Sequence, residues 1–558
     1  MSQDSRKDER SNLITCLWEL KSAMEESGDT KFVHYNMMLR DDNYRKELIE
    51  KGVSSTNESV VKLAKQVEQI NLPGSLIGED ARENYAGPDA DSAQLRQAAN
   101  SAPSPVPERQ VEPQRESDNR PGMKAGFSAG IAAVVLLIAA GIVFATYFQP
   151  KLSKEQLVNG SIYGQTIWSA DKSWILEGLV FVESGAQLTI EPGTQILAKP
   201  GAALIVTRDA TIDARGAADN PILFSSAKEP GLRSPGDWGG VVLLGNAPIN
   251  TRVEHIEGIS KDDPRGGFGG SDTFSNCGVM QYVRIEFAGH EISANNELNG
   301  LTLGGCGEST IIRFVQIHKA LDDGLELFGG TVNIRNILVT QPGDDGLDWD
   351  RGWQGNGQFI VVQMGSRSGD NAIEADNYGK DHHSEPRSKP FLSNVTLVGS
   401  LDSTKSQRGM VLRRGTAGDF RNMAIFGFTS EAIDIRDSAT VAQIESGELS
   451  FKGLMIDDNS SRFNDEGGEN DDDGGFSETE FFASIVQRGQ IGDMDDLPTD
   501  IYSLTKPKFT PLNKRNVTKY AVAITQGEFW DEAANYLGAM RPENYNSWID
   551  GWAAYPDR

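Results

Sequence analysis

Cysteine is scarce: the 558 residues hold three, Cys16, Cys277 and Cys306. That excludes a scaffold built on disulfides, and no CxxC pair points to zinc. Positive charge is in deficit. Against 80 Asp and Glu stand 53 Lys and Arg, for a formal charge of −27. Nucleic acid is thereby excluded as a partner of the whole chain, because phosphate binding needs a basic surface. Cations and cationic or neutral polymers are easier to accommodate. There is no G-x-S-x-G and no catalytic Cys arrangement, and "GGFGG" (266–270) lacks the Lys of a phosphate loop. Long apolar runs are absent with one exception, and helical periodicity almost disappears beyond it.

The exception is "AGFSAGIAAVVLLIAAGIVFATYF" (125–148), which carries no charge. About 24 residues at 1.5 Å rise reach roughly 36 Å, enough to cross a bilayer with some tilt. Arg109, Arg115, Arg120 and Lys124 precede it; Lys151 and Lys154 follow. This bias predicts a single-pass protein of the inner (cytoplasmic) membrane, N-terminus cytoplasmic and C-terminal domain periplasmic or extracellular. A buried core helix is the alternative. Gly126-xxx-Gly130 offers a contact for a homo-oligomer through the span.

Before the span, residues 1–73 read as a small helical cytoplasmic segment. "NLITCLWELKSAM" and "NESVVKLAKQVEQI" carry apolar residues at helical spacing, the second with Thr56 or Asn57 as N-cap, and a third helix falls around Asn43 to Lys51. Cys16 lies among apolar neighbours, as a core cysteine does. Residues 74–124, rich in Ala, Pro, Ser, Asn and Glu, read as a disordered linker.

Residues 151–558 have another texture: short β-type runs bounded by Gly, Asp and Asn. "NGLTLGG", "DGLELFGG", "DGLDWDRG", "NAIEADNYG", "RGMVLRRG" and "EAIDIRDS" align on Gly300, Gly324, Gly346, Ala372, Gly409 and Ala432, at spacings of 24, 22, 26, 37 and 23 residues. Between them a second strand recurs, from "MQYVRIEF" to "LSFKGLMI". Such a period, with two or three short strands per repeat, marks a β-solenoid whose stacked turns share one core. The fold class expected is all-β, a right-handed parallel β-helix with a C-terminal cap, joined to a transmembrane helix and a small α-helical N-terminal segment.

The motifs "DWGGVVLLGNAPIN" (237–250), "IEGISKDDPRGGFGG" (256–270), "NELNGLTLGGCG" (296–307), "DDGLELFGGTV" (322–332) and "GDDGLDWDRGWQGNGQF" (343–359) resemble those of a large bacterial group of extracytoplasmic right-handed parallel β-helix proteins. Their fold is similar to that of pectin lyases. "FWDEAANYLGAM" and "SWIDGWAAYP" resemble the group's closing motif, so the likeness runs from about Gln156 to Pro556. It implies a fold and an envelope or surface location, with no reaction attached. Members usually enter through a signal peptide or a lipid-attachment Cys; here a cytoplasmic segment and a span stand in that place.

Strand alternation sends Leu325/Leu327, Leu347/Trp349, Ile373/Ala375, Met410/Leu412 and Ile433/Ile435 inward. Glu326, Asp348, Glu374, Val411 and Asp434 then point outward, with Asp350 and Asp376 a step further along. With coils about 4.8 Å apart, Glu326, Asp348 and Glu374 form a vertical carboxylate ladder. It reads as a solvated acidic face, as a cation site, or as a polysaccharide-active site, where carboxylates about 5–9 Å apart act as acid and base or nucleophile. Arg351, Arg413 and Arg436 are the chain's own neutralising candidates. Asp322, Asp344 and Asp370 recur at the turn before the strand and read as stacked Asx caps. "DHHS" (381–384) reads as a solvated loop, with transition-metal binding as the alternative. His255, His290 and His318 are isolated and read as structural. Glu469, Asp471, Asp473 and Glu480 fall at positions 1, 3, 5 and 12 of an EF-hand-type loop, without an entering helix; a disordered acidic loop is the other reading. Cys277 and Cys306 precede equivalent strands of successive coils, a separation that suits a disulfide.

The leading function is thus a membrane-anchored binding or scaffold module of the cell envelope. Divalent cations, Ca²⁺ foremost, stabilise it, and envelope polysaccharide is its ligand. The alternative is a membrane-anchored polysaccharide lyase or glycoside hydrolase using Asp348, Asp350 and Asp376.

Overall fold

A computed structural model describes residues 42–70 and 154–558, apart from 294–295, 458, 460–462, 464–472, 484, 486–497, 499, 513, 525–526 and 543–546, together with scattered positions between 13 and 27. The chain divides into two compact units, 1–131 and 132–558. The linker 74–124 and the expected span 125–148 lie outside the described residues. Among the described residues, no helix is long and apolar enough to cross a membrane.

In the first unit, helices α1 (Asp42–Val53) and α2 (Glu58–Ile70) pack together. The Asn57 side chain caps α2, its Oδ1 accepting from Ser59 N at 2.9 Å and Val60 N at 3.4 Å. Leu48, Ile49, Val60, Ala64 and Val67 share a buried core with Leu13, Cys16, Leu17, Leu20 and Met24. Cys16 is a buried free thiol, as its apolar neighbours predict. Gly52 permits the close helix approach: a Cβ there would lie 2.9 Å from Ala64 Cβ.

The second unit is a stack of coils, its strands paired in parallel into one 22-stranded sheet, the arrangement of a right-handed parallel β-helix. A short-strand ladder joins Gly240–Leu244, Leu301–Gly304, Leu325–Phe328, Leu347–Asp350, Asn371–Ala375, Arg408–Leu412 and Ile433–Ile435. A long-strand ladder joins Gly278–Glu286, Ile311–His318, Asn333–Thr340, Asn356–Gln363, Phe391–Val398, Gly418–Phe426 and Leu449–Asp457. The long strands bend at one position in every coil. Tyr282, Phe314, Asn336, Phe359, Asn394 and Asn422 all have φ of 50–61°, and Gly453 follows at 70°. In the strand Gly278–Glu286 this bend falls between the parts that pair with two separate strands of an earlier coil, Thr211–Arg215 and Ile222–Ser226.

The short-strand register is the one alternation predicts. Leu325, Leu347, Ile373, Met410 and Ile433 stack in one row and Leu327, Trp349, Ala375, Leu412 and Ile435 in another, all fully buried in the central core. The small-residue column has a steric cause. A Cβ on Gly324 would sit 2.4 Å from Val339 Cγ1, and one on Gly346 2.3 Å from Val362 Cγ1, because long-strand side chains fill that corner. Cys277 and Cys306 form a buried disulfide between coils, with Cα atoms 5.8 Å apart.

Beyond the last coil, Phe463 and helix α3 (Glu478–Phe482) cover the core, Phe482 stacking on Phe463 and meeting Phe451 edge-on. Residues 498–558 then run back along the outside of the long-strand ladder as a strap. Leu537, Tyr536, Met540 and Ile549 bury Val361, Val398 and Phe426 in a second apolar layer. Polar side chains of the ladder hold the strap's backbone. Asn394 Nδ2 donates to Ala534 O and Tyr536 O, Gln316 Nε2 to Ala554 O, and buried His318 lies 2.8 Å from Pro556 O.

Candidate functional site

One outward row runs the length of the short-strand ladder: Phe181, Ile205, Val242, Thr302, Glu326, Asp348, Glu374, Val411 and Asp434. Its upper members are apolar and do not face water. The loop 246–270 folds over them and packs Ile249, Ile256, Ile259 and Phe268 against Phe181, Ile205 and Val242. The same loop brings Glu257 near Glu326 and Glu254 to 4.0 Å from Arg351.

The acidic face is therefore not a solvated one. Glu326 is 6% exposed, Asp376 3% and Asp434 2%, and the Oδ1 atom of half-buried Asp348 is buried without a hydrogen-bond partner. Burying charge costs several kcal/mol per ion unless it is paired. In the lower coils arginines supply that pairing. Arg413 reaches Glu374 and Asp376, the latter at 2.8 Å, and Arg414 lies 2.6 Å from Asp376. Arg408 and Arg436 hold Asp434 at 3.0 and 2.8 Å, and Arg351 holds Asp350.

Higher up the pairing stops. Asp323, Glu326, Asp345 and Asp348 have no basic group within 4.0 Å among the described residues. Their oxygens fall into overlapping trios, each within 4.8 Å: Asp323 with Glu326 and Asp348, and Asp345 with Asp348 and Glu374. Burial first, then neighbouring carboxylates, pushes all four well above the usual range. Burial likewise raises Glu257 and Glu374 to about 7 and Asp350 to about 6.

Asp323 and Asp345 are the members that pattern reading missed. The stacked Asx ladder lies one residue later than Asp322, Asp344 and Asp370. Asp323 N donates to Asn299 Oδ1 at 3.2 Å, Asp345 N to Asp323 Oδ1 at 2.9 Å, and Asn371 N to Asp345 Oδ1 at 2.7 Å. The signal was present: Asn299, Asp323, Asp345 and Asn371 each precede the small-residue column.

Of the expected ligands, Asp348 lies with Glu326 in one trio and with Glu374 in the other, whereas Asp350 and Asp376, and on one side Glu374, are engaged by arginines. Glu469 and Asp471 lie outside the described residues. Asp473 closes a turn, accepting from Gly475 N and Phe476 N at 2.9 Å each, and Glu480 lies on α3. In "DHHS", Asp381 accepts from His383 N and Ser384 Oγ, and His382 Nδ1 lies 3.5 Å from Asp437. His255, His290 and His318 are hydrogen-bonded to backbone carbonyls, as structural histidines are. Burial lowers His318 to about 4, so it is neutral near pH 7.

Coil architecture and strand face define a parallel β-helix protein with a buried carboxylate cluster on one side. Residues 160–485 match the pectate-lyase-like beta helix domain family, well over half of the chain, and the chain belongs to that family. No curated protein matches it, and no solved structure does.

Proposed function

We propose that the chain is a β-helix binding module whose short-strand face holds a divalent cation, Ca²⁺, among Asp323, Glu326, Asp345, Asp348 and Glu374. The observation that carries this reading is Asp348: a carboxylate with a buried, unpartnered oxygen, shared between two trios in which, among the described residues, only Glu374 meets an arginine. Hard cations take several carboxylate oxygens, and an ion would replace the protons that the cluster otherwise needs. Calorimetric titration of the chelated full-length chain with Ca²⁺ tests it. Saturable binding with proton release is expected; no heat, or binding unchanged in Asp348→Asn, refutes it.

In this reading the module is anchored by 125–148 with residues 1–124 cytoplasmic, and its ligand is a neutral or cationic envelope polymer, foremost polysaccharide. The uncharged run and the basic residues before it support the anchor. A reporter active only outside the cytoplasm should be active after Arg558 and silent near Pro73; the opposite pattern refutes the topology.

One observation favours a lyase or glycoside hydrolase as the second reading. Asp376 is ion-paired with two arginines, whereas the carboxyl of nearby Asp348 has no basic partner within 4.0 Å among the described residues and is pushed up by burial, two different environments of the kind an acid–base pair needs. The burial of both argues against access by a polymer. Depolymerisation of acidic and neutral glycans by the wild type, lost in Asp348→Asn, would establish catalysis.

A further inference from the structure

On the other side of the coil stack, the strap and the long-strand ladder enclose a cleft of about 270 Å³. At roughly 30 Å³ per water this is the space of about nine waters, enough for one small ring compound. Four aromatic side chains line it: Phe314 and Phe359 from bends of the ladder, Tyr536 and Trp548 from the strap. Two guanidinium groups, Arg335 and Arg541, line it as well.

Arg335 carries the argument. In a chain of net charge −27 most half-buried arginines of the β-helix are paired, whereas Arg335, like Arg208 and Arg233, has no carboxylate within 4.0 Å among the described residues. Its Nη1 donates to Phe529 O at 2.9 Å, and its guanidinium lies 5.4 Å from the Phe359 ring centroid. Arg313 stands in register with it on the next coil and adds positive charge. Asp531 also lines the cleft and acts on Arg335; it meets Arg541 at 3.6 Å, so one carboxylate faces two guanidinium groups. A half-buried guanidinium without a carboxylate of its own, beside aromatic rings, is complementary to an anion carried on a flat ring.

We propose that this cleft is a binding site for a small aromatic carboxylate, its ring between Phe314, Phe359 and Trp548 and its carboxylate on Arg335 and Arg541. The site is separate from the acidic face and does not depend on the cation. The aromatic rings beside the two guanidinium groups favour a carboxylate carried on a flat ring over an aliphatic one; Asn336, Thr510 and Ser547 also line the cleft, and the sugar acid in the test below is the comparison that addresses them.

The test is calorimetric titration of the full-length chain with benzoate, with acetate, benzyl alcohol and galacturonate as comparisons, each with and without EDTA. Benzoate should bind saturably in the millimolar range or tighter, and acetate and benzyl alcohol at least about tenfold more weakly, about 1.4 kcal/mol. Arg335→Gln should lose at least tenfold. Should that variant fail to melt cooperatively, Arg541→Gln, on a half-exposed side chain, carries the test with the same expected direction. The proposal is overturned if benzoate does not saturate, if benzyl alcohol binds equally well, if galacturonate binds more tightly, if EDTA abolishes binding, or if folded Arg335→Gln and Arg541→Gln both bind as wild type does.

Discussion

Replacing Asp348 by Asn removes the one charge common to both carboxylate trios. Two ionised carboxylates whose oxygens lie within 4.8 Å repel by about 3.5 kcal/mol or more at an effective dielectric near 20. A fully ionised trio holds three such pairs, about 10 kcal/mol, which rivals the whole stability of a domain. Without a cation the cluster must therefore keep protons, and the sign of its pH dependence follows. Acids whose folded pKa lies above the unfolded value contribute stability that is present below about pH 4 and lost as pH rises through the folded value. Glu257 and Glu374 place that loss near pH 7 and Asp350 near pH 6. In chelator, the wild-type melting temperature should fall between pH 5 and pH 8, and Asp348→Asn should melt higher at pH 8 by about 1–3 kcal/mol, a few degrees. An amide can also donate to the carboxylates beside it. With Ca²⁺ at about 100 times its Kd the wild type should gain about 2.7 kcal/mol, and the variant little. Differential scanning calorimetry with and without EDTA reads all of this. The reasoning fails if Asp348→Asn melts below wild type at pH 8 in chelator, or if Ca²⁺ stabilises both equally.

Asp376→Asn should act in the opposite direction, destabilising by about 3 kcal/mol in a denaturant melt at pH 7, because it leaves Arg413 and Arg414 without their shared acid. Thiol titration of the unfolded, unreduced chain should find one free thiol, that of Cys16. Replacing Cys277 and Cys306 together by Ala should cost about 3–4 kcal/mol for a loop of 29 residues. Gly346→Ala, which drives a methyl to 2.3 Å from Val362 Cγ1, should destabilise by about 1–3 kcal/mol in a denaturant melt.

Much of this molecule is local in origin and so was legible in the sequence. The period-2 alternation of "DGLELF", "DGLDWD" and "NAIEA" fixes which side chains enter the core, and the column of Gly300, Gly324 and Gly346 fixes how coils align. Together they placed Glu326, Asp348 and Glu374 in one row and Cys277 opposite Cys306, because stacking at a constant spacing turns sequence offset directly into distance. Tertiary structure alone decided what those placements mean. The upper, apolar part of the outward row is buried because a loop from 246–270 covers it, and no strand pattern encodes where a loop folds back. Arg413 neutralises Glu374 and Asp376 from the next coil while nothing reaches Asp348, so identical residue types became ion pairs in one coil and proton- or cation-dependent acids in another. Asp323 and Asp345 joined the site through backbone hydrogen bonds between coils, and the cleft at Arg335 exists only because the strap returns over strands some two hundred residues earlier. Charge state and access depend on burial, and burial is a property of what packs from far along the chain rather than of the residue and its neighbours in sequence.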